Sequence, residues 1–354
     1  MINSSKIDDN FFEYDAVSLN ETEDALLIID QTELPNKEVF LELKTLKDIS
    51  DAIYLLKIRG APAIGVAAAY GICMCTLNIN NKETYIKEFK KAKNTLNATR
   101  PTAVNLTYAL NRMDACLDSH INLNLNELKT KLLEESKEVK KEDMNMCYSI
   151  AENALSLIQK GSSILTHCNA GHLAVSRYGT ALGPIYLAQH RGYNPKVFAD
   201  ETRPLLQGAR LTTFELMKSG VDVTLVCDNM ASILMKKGKV DMVMVGCDRV
   251  ASNGDVANKI GTSSLAILAN YYNIPFYVLG PTTTIDLNCK TGDDIFIEER
   301  PAYEVTSLYF SKPIAPKGVK VYNPAFDVTD SKLITAIITE KGVYRYPYNF
   351  LKGK

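Results

Sequence analysis

Between Ser162 and Pro281 the chain alternates five short apolar or β-branched runs with four runs of helical spacing. The apolar runs are SSILTHC (162–168), PKVFADE (195–201), VDVTLVCDN (221–229), VDMVMVGCD (240–248) and IPFYVLGP (274–281). Between them lie AVSRYGTALGPIYLAQHRG, LTTFELMKSG, MASILMKKG and SSLAILANYYN, the first three closed by Gly192, Gly220 and Gly238, which suit a helix C-terminus. Such alternation is the pattern of a mostly parallel sheet covered by helices.

The preceding half reads differently. From Val39 to Ile158 the apolar residues recur at three and four positions, and Asn126 to Lys160 is one long amphipathic pattern closed by Gly161. Upstream, DALLIIDQTELP reads as a strand ended by a proline turn. The expected fold class is therefore α/β. A mainly helical N-terminal domain with a small antiparallel sheet (1–160) precedes a C-terminal domain built on the parallel sheet (161–354), with the boundary near 158–163. A length of 354 residues with 46% hydrophobic content suffices for two such cores.

A formal net charge of -1 offers no broad basic field, so neither nucleic acid nor a membrane surface is an expected partner. No apolar run is long enough to span a bilayer, and the opening MINSSKIDDNFFEYD is polar and acidic, unlike a secretory signal. The eight cysteines (73, 75, 116, 147, 168, 227, 247, 289) are scattered without a C-x-x-C pair and read as free thiols of a reducing, cytoplasmic compartment. The four histidines show no metal-ligand spacing, so no metal is expected. The charges from Glu134 to Glu142 read as a solvated helix face.

In open parallel sheets ligands bind beyond the carboxyl ends of the strands. Those ends carry Cys168-Asn169, Asp200-Glu201, Asp228-Asn229, Cys247-Asp248 and Pro281-Thr282. Cys168 is expected where a following helix begins, so that the helix dipole favours its thiolate; the competing reading is an inert buried cysteine. His167 should point to the opposite face, which implies no Cys–His dyad, and His172 reads as a solvated or hydrogen-bonded histidine. Asp248, after the apolar VDMVMVG, is expected to be partly desolvated and suited to donating a proton. Its competing reading is a cap for the next helix or a partner for Arg249.

Three segments could hold a phosphate: Arg59-Gly60-Ala61 before a small-residue run, Arg100 beside Pro101, and Asn258-Lys259 in the loop before a helical run. None is a Walker A or G-x-G-x-x-G sequence, so no nucleotide cofactor is expected. Cys73, Cys75, Cys227 and Cys289 are assigned to core.

The segments IRGAPAIGVAAAYG, THCNAG, ADETRPLLQGARLT, DNMA, GCDRVASNGDVANKIGT and NPAFDVT together resemble the methylthioribose-1-phosphate isomerases, in order and over nearly the whole chain. That family is similar in fold to regulatory subunits of a translation-initiation exchange factor, which lack the catalytic pair. The resemblance implies a Rossmann-like C-terminal domain, a homodimer without cofactor, and a small sugar phosphate as substrate. It implies catalytic roles for Cys168 and Asp248, and substrate-binding roles for Arg59, Gly60, Ala61, Arg100, Gln207, Asn258 and Lys259. Cys247, His172, Ser176 and Arg177 depart from the family's smaller residues, which bears on the group at the sugar's 5-position. 5-Deoxyribose 1-phosphate and ribose 1,5-bisphosphate are the alternative substrates; a noncatalytic subunit and a cysteine hydrolase are the alternative functions.

Overall fold

A computed structural model describes residues 12–100 and 103–350. Most of the opening segment, and Pro101 beside Arg100, lie outside the described residues. Contacts group the described chain into two compact units, residues 12–147 with 171–179 and residues 148–170 with 180–350.

The first unit opens with an antiparallel sheet of three strands, β1 (Val17–Leu19), β2 (Leu26–Ile29) and β3 (Phe40–Leu43), where the sequence predicts a little antiparallel sheet. Helices α1 (Leu46–Tyr54), α2 (Ala61–Thr76), α3 (Lys82–Thr99), α4 (Val104–Ser119) and α5 (Leu125–Leu155) follow. Thr45 caps α1 and Asn81 caps α3, each accepting a backbone N–H with its side chain. Helix α2 is apolar on nearly every side and is buried almost throughout, as a central helix must be. Its small residues set the spacing: a Cβ at Gly65 would lie 2.9 Å from the Asn105 carbonyl oxygen of α4. Around it pack Tyr85 and Phe89 of α3, both essentially inaccessible, each contributing roughly 1.5–3 kcal/mol by leaving water. The charge-rich stretch of α5 carries exposed i,i+3 pairs, Lys131 with Glu134 and Lys141 with Glu138, in keeping with a solvated face.

Helix α5 ends at Leu155, five residues before the expected Lys160, because the amides of Leu157 and Ile158 turn back onto the carbonyls of Ala154 and Leu155 in tight turns.

The second unit holds a seven-stranded sheet in the order β14-β13-β10-β7-β4-β5-β6. Its strands are β4 (Ser163–Thr166), β5 (Lys196–Asp200), β6 (Asp222–Val226), β7 (Met242–Val245), β10 (Phe276–Leu279), β13 (Ala336–Thr339) and β14 (Gly342–Tyr344). All neighbours run parallel except the edge pair β13–β14. The five expected strands are all present, and helices α6 (Gly183–His190), α7 (Thr213–Lys218), α8 (Ala231–Lys236) and α9 (Thr262–Tyr271) connect them. The helical run expected from Ala174 forms only from Gly183, because Tyr178 (φ 72°) and Gly179 (φ 83°) are left-handed and break it. A second sheet, not foreseen, joins β8 (Arg249–Ala251), β9 (Val256–Lys259), β11 (Ile285–Asp286) and β12 (Phe326–Thr329) in the order β11-β8-β9-β12.

Candidate active site

Strands β4 and β7 are direct parallel neighbours, with Ile164 opposite Met242 and Leu165 opposite Val243. Carried three residues further, that register sets Cys168 level with Gly246, and Asp248 follows two residues later. Neighbouring strands lie about 4.8 Å apart, so the two residues leave the sheet from adjoining positions on its carboxyl edge.

Cys168 is half-exposed and its backbone is left-handed (φ 62°). That conformation costs a side-chain-bearing residue roughly 1–2 kcal/mol, so something must hold it. Two threonines do: the Cys168 N–H donates to Thr202 Oγ1 (2.8 Å), and the Thr212 hydroxyl donates to the Cys168 carbonyl (2.6 Å). Thr202 is itself left-handed (φ 65°), and its amide and that of Arg203 donate to the two Asp228 carboxylate oxygens at 2.7 Å each. The expected helix beginning at Cys168 is absent. The amides of Thr180 and Leu182 both reach back to the Ala170 carbonyl (3.0 and 3.2 Å), and α6 starts only at Gly183. The dipole of the following helix therefore does not start at this thiol.

Asp248 precedes a strand, β8, rather than a helix, so it is not the cap of a following helix. Its amide donates to the Ala257 carbonyl of β9 (2.9 Å), and the Arg249 guanidinium turns instead toward Asp286 at 3.6 Å. Ala257 is followed on β9 by Asn258 and Lys259, which are thereby fixed beside the Asp248 segment. Asn258 is buried and donates to Thr262 Oγ1 (3.0 Å), while the Lys259 ammonium lies 4.3 Å over the ring of its cross-strand partner Phe326. Gln207 is buried just before the π-turn Gly208–Thr212, and its Oε1 has no hydrogen-bond partner among the described residues. A buried acceptor left so costs roughly 1–3 kcal/mol, a cost that a ligand hydroxyl would remove.

Arg59, Gly60, Ala61 and Arg100 belong to the helical unit. Gly60 (φ 95°) is the N-cap of α2, Ala61 is its first residue, and Arg100 closes α3.

The residues that depart from the family pattern have local partners. His172 is buried against Phe12, with ring centroids 4.8 Å apart, rather than solvated. The Ser176 amide donates to Asp143 (2.7 Å), and Arg177 pairs with Asp15 at 2.9 Å. The Cys247 thiol contacts Thr284 Oγ1 (3.4 Å), and burial pushes it up to about 12. Burial likewise pushes the Cys73 and Cys75 thiols up to about 12, as core cysteines. Cys227 is not core: it is half-exposed, and the nearby Glu201 carboxylate raises its thiol.

One grouping escaped the sequence reading. His167 is fully buried, with Nδ1 3.0 Å from Asp200 Oδ2, Nε2 2.8 Å from the Ile260 carbonyl, and Asp228 at 4.0 Å. Burial pushes the Asp200 carboxyl up to about 6. Burial is the largest single influence on His167 and opposes its charge, yet the hydrogen bond to Asp200, the Asp200 and Asp228 charges and the Ile260 carbonyl together outweigh it, and the imidazole is raised above its ordinary value. His167, Asp200, Asp228 and Gly261 also border a cavity of about 300 Å³, to which neither Cys168 nor Asp248 contributes. The ligand-type atoms of this trio lie within 4.8 Å of one another. With both Asp228 oxygens on backbone amides and His167 hydrogen-bonded at both nitrogens, the trio is an ion-pair network as it stands. No spacing in the sequence could disclose it, since its members end three different strands.

The profile of the initiation factor 2 subunit family matches residues 57–346. A methylthioribose-1-phosphate isomerase of Parabacteroides distasonis is 62% identical over 327 residues, covering 92% of this chain and 98% of the relative. A 5-deoxyribose 1-phosphate isomerase of Petrotoga mobilis is 57% identical over 334 residues, covering 94% of this chain and 96% of the relative. The crystal structure of 5-methylthioribose 1-phosphate isomerase from Pyrococcus horikoshii superposes with a TM-score of 0.89 at 39% identity, covering 95% of this chain and 93% of that one. With a whole-length fold match and identities this high, the chain belongs to the initiation factor 2 subunit family, among its methylthioribose-1-phosphate isomerase and 5-deoxyribose 1-phosphate isomerase members.

Proposed function

We propose that this protein is an aldose–ketose isomerase that converts 5-methylthioribose 1-phosphate to 5-methylthioribulose 1-phosphate, as in methionine salvage. What carries the reading is the thiol of Cys168 and the carboxyl of Asp248 at adjoining strand ends in a chain 62% identical to a relative of that name. A furanose with phosphate on C1 cannot open to a free aldehyde. Asp248, protonated, gives its proton to the ring oxygen, which becomes the C4 hydroxyl as the ring opens. Cys168, as thiolate, takes the proton from C2 and leaves an enol phosphate across C1 and C2. Return of that proton to C1, and of the C2 hydroxyl proton to Asp248, forms the ketose and restores both groups.

Gln207 and Asn258 would contact sugar hydroxyls, and Lys259 the phosphate. Roles for Arg59, Gly60, Ala61 and Arg100 in binding that phosphate rest on the family resemblance. Positioning by such contacts supplies part of the rate.

The second reading is 5-deoxyribose 1-phosphate, favoured by the relative 57% identical. The two sugars differ only in an apolar 5-substituent, worth roughly 1–3 kcal/mol of discrimination. Kinetics on the purified protein decides: kcat/KM should be highest for the methylthio sugar, lower for the deoxy sugar by roughly 10- to 200-fold, and lowest for ribose 1,5-bisphosphate. A reversed order assigns the deoxy sugar instead, and no turnover of any pentose 1-phosphate leaves a noncatalytic subunit.

A cytoplasmic homodimer completes the proposal. Among the described residues none of the eight cysteines is joined in a disulfide, which suits a reducing compartment. Met230 and Ile233, on the turn that opens α8 and on α8 itself, and Ile267 and Tyr271, on the α9 that packs against α8, expose apolar side chains, as does Leu225 on the edge strand β6. A second copy would cover them. Sedimentation equilibrium should give twice 39.2 kDa for the unaltered chain and the monomer mass for the Ile233→Lys, Ile267→Lys double variant. A monomeric unaltered chain would refute the dimer.

A further inference from the structure

His167 takes no part in the proton transfers above, yet it touches both pieces of protein on which they depend. Its Nε2 donates to the carbonyl of Ile260, the residue after Lys259. Gly261 follows with φ 104°, and a Cβ there would lie 2.8 Å from the imidazole, so the loop is shaped around the ring. On the other side Nδ1 faces Asp200 Oδ2. From Asp200 the contacts run on: the Thr202 hydroxyl donates to the Asp200 carbonyl (3.1 Å) and accepts the Cys168 N–H (2.8 Å). One buried ring thus joins the turn that follows Asn258 and Lys259 at the end of β9 to the turn that clamps Cys168.

We propose that His167, acting through Asp200 and Thr202, is a positioning residue for the isomerisation, holding Cys168 in its left-handed conformation and in register with Asn258 and Lys259 at the end of β9. The proposal rests on the reading of Cys168 as the catalytic thiol.

Both ring nitrogens face acceptors, so the His167–Asp200 pair must keep one proton more than a neutral imidazole and an ionised carboxylate carry together. Without it, a nitrogen lone pair would face either the Asp200 carboxylate oxygen at 3.0 Å or, in the other tautomer, the Ile260 carbonyl oxygen at 2.8 Å. The charged groups around the ring are Asp200 at the end of β5, Asp228 beyond β6, and Asp327 of β12, whose carboxylate accepts the Gly261 and Ser263 amides at 2.8 and 3.0 Å. Glu201 acts on Asp200 in the same sense. All four are acidic, so every neighbour favours retention of the proton, consistent with the raised imidazole. Rising pH should remove it and loosen both attachments at once.

The test uses full-length His167→Gln and Thr202→Val beside Cys168→Ser. Three quantities are read: kcat and KM across pH, thermal midpoint, and the rate at which iodoacetamide alkylates Cys168, followed by peptide mass. His167→Gln should lower kcat by about 10²-fold, the scale of a misplacement near 1 Å, with a smaller change in KM. It should also change the Cys168 alkylation rate and abolish an alkaline loss of kcat seen in the parent. Thr202→Val keeps the side chain's shape while removing the hydroxyl, and should reproduce the alkylation change even if His167→Gln fails to fold. Parental kcat, pH profile and alkylation rate in folded His167→Gln, or in Thr202→Val if that is the variant that folds, would overturn the positioning role while leaving an inactive Cys168→Ser to uphold the thiol's. Full activity in Cys168→Ser would overturn both.

Discussion

Serine in place of Cys168 is expected to lower kcat by about 10²–10⁴-fold with the fold intact, and asparagine in place of Asp248 by a similar factor. Serine keeps the backbone that Thr202 and Thr212 hold at 2.8 and 2.6 Å, but its hydroxyl ionises far less readily than a thiol. Asparagine keeps the shape of Asp248 and can neither give the ring oxygen a proton nor recover one. KM should change less than kcat, because in the proposed mechanism both groups act on reacting atoms rather than on the phosphate. Turnover in deuterium oxide adds the route: label at C1 of the ketose follows from proton removal by Cys168, whereas full retention of the substrate hydrogen assigns a direct C2-to-C1 hydride shift. Near-parental kcat in either variant removes that residue from the chemistry.

Alanine at Gly208 is expected to give the largest loss of stability among small substitutions. Its Cβ would sit 1.7 Å from the Asp200 carbonyl oxygen and 2.9 Å from Thr202 Oγ1. The first obstacle is backbone at the end of β5, which cannot rotate away, so the π-turn Gly208–Thr212 must lift off the strand. A loss of about 3 kcal/mol is expected, the upper part of the range for overpacking, read as a lowered urea midpoint. Activity should fall as well, since Gln207 opens that turn, Thr212 ends it, and Thr202 Oγ1 lies against it, both threonines clamping Cys168. Gly161→Ala is the control: nothing lies within 4 Å of its Cβ, and the left-handed φ of 75° alone costs roughly 1–2 kcal/mol. Equal midpoints for the two variants would show that the turn yields without strain.

The five central strands were legible because strands buried on both faces of a sheet are written as unbroken apolar runs such as MVMV of β7 and FYVL of β10, both buried throughout. The second sheet was not, since β8, β9 and β11 are three, four and two residues long and mix Arg249, Asn258, Lys259 and Asp286 among small apolar residues. The helix expected to open at Ala174 was misjudged for a related reason: its apolar spacing is sound, but the left-handed Tyr178 and Gly179 interrupt it, and residue type alone does not fix φ at a tyrosine.

By itself the sequence determined the α/β class, the central run of parallel strands, and the emergence of Cys168 and Asp248 at carboxyl ends, because all three follow from local patterns of apolar and reactive residues. The tertiary structure alone decided that β4 and β7 are neighbours, that no helix begins at Cys168, and that His167 meets Asp200 and Ile260, partners 33 and 93 positions away. Hydrogen bonds between strand ends depend on the order of strands in the sheet, and that order is fixed by packing of the whole core rather than by any stretch of chain.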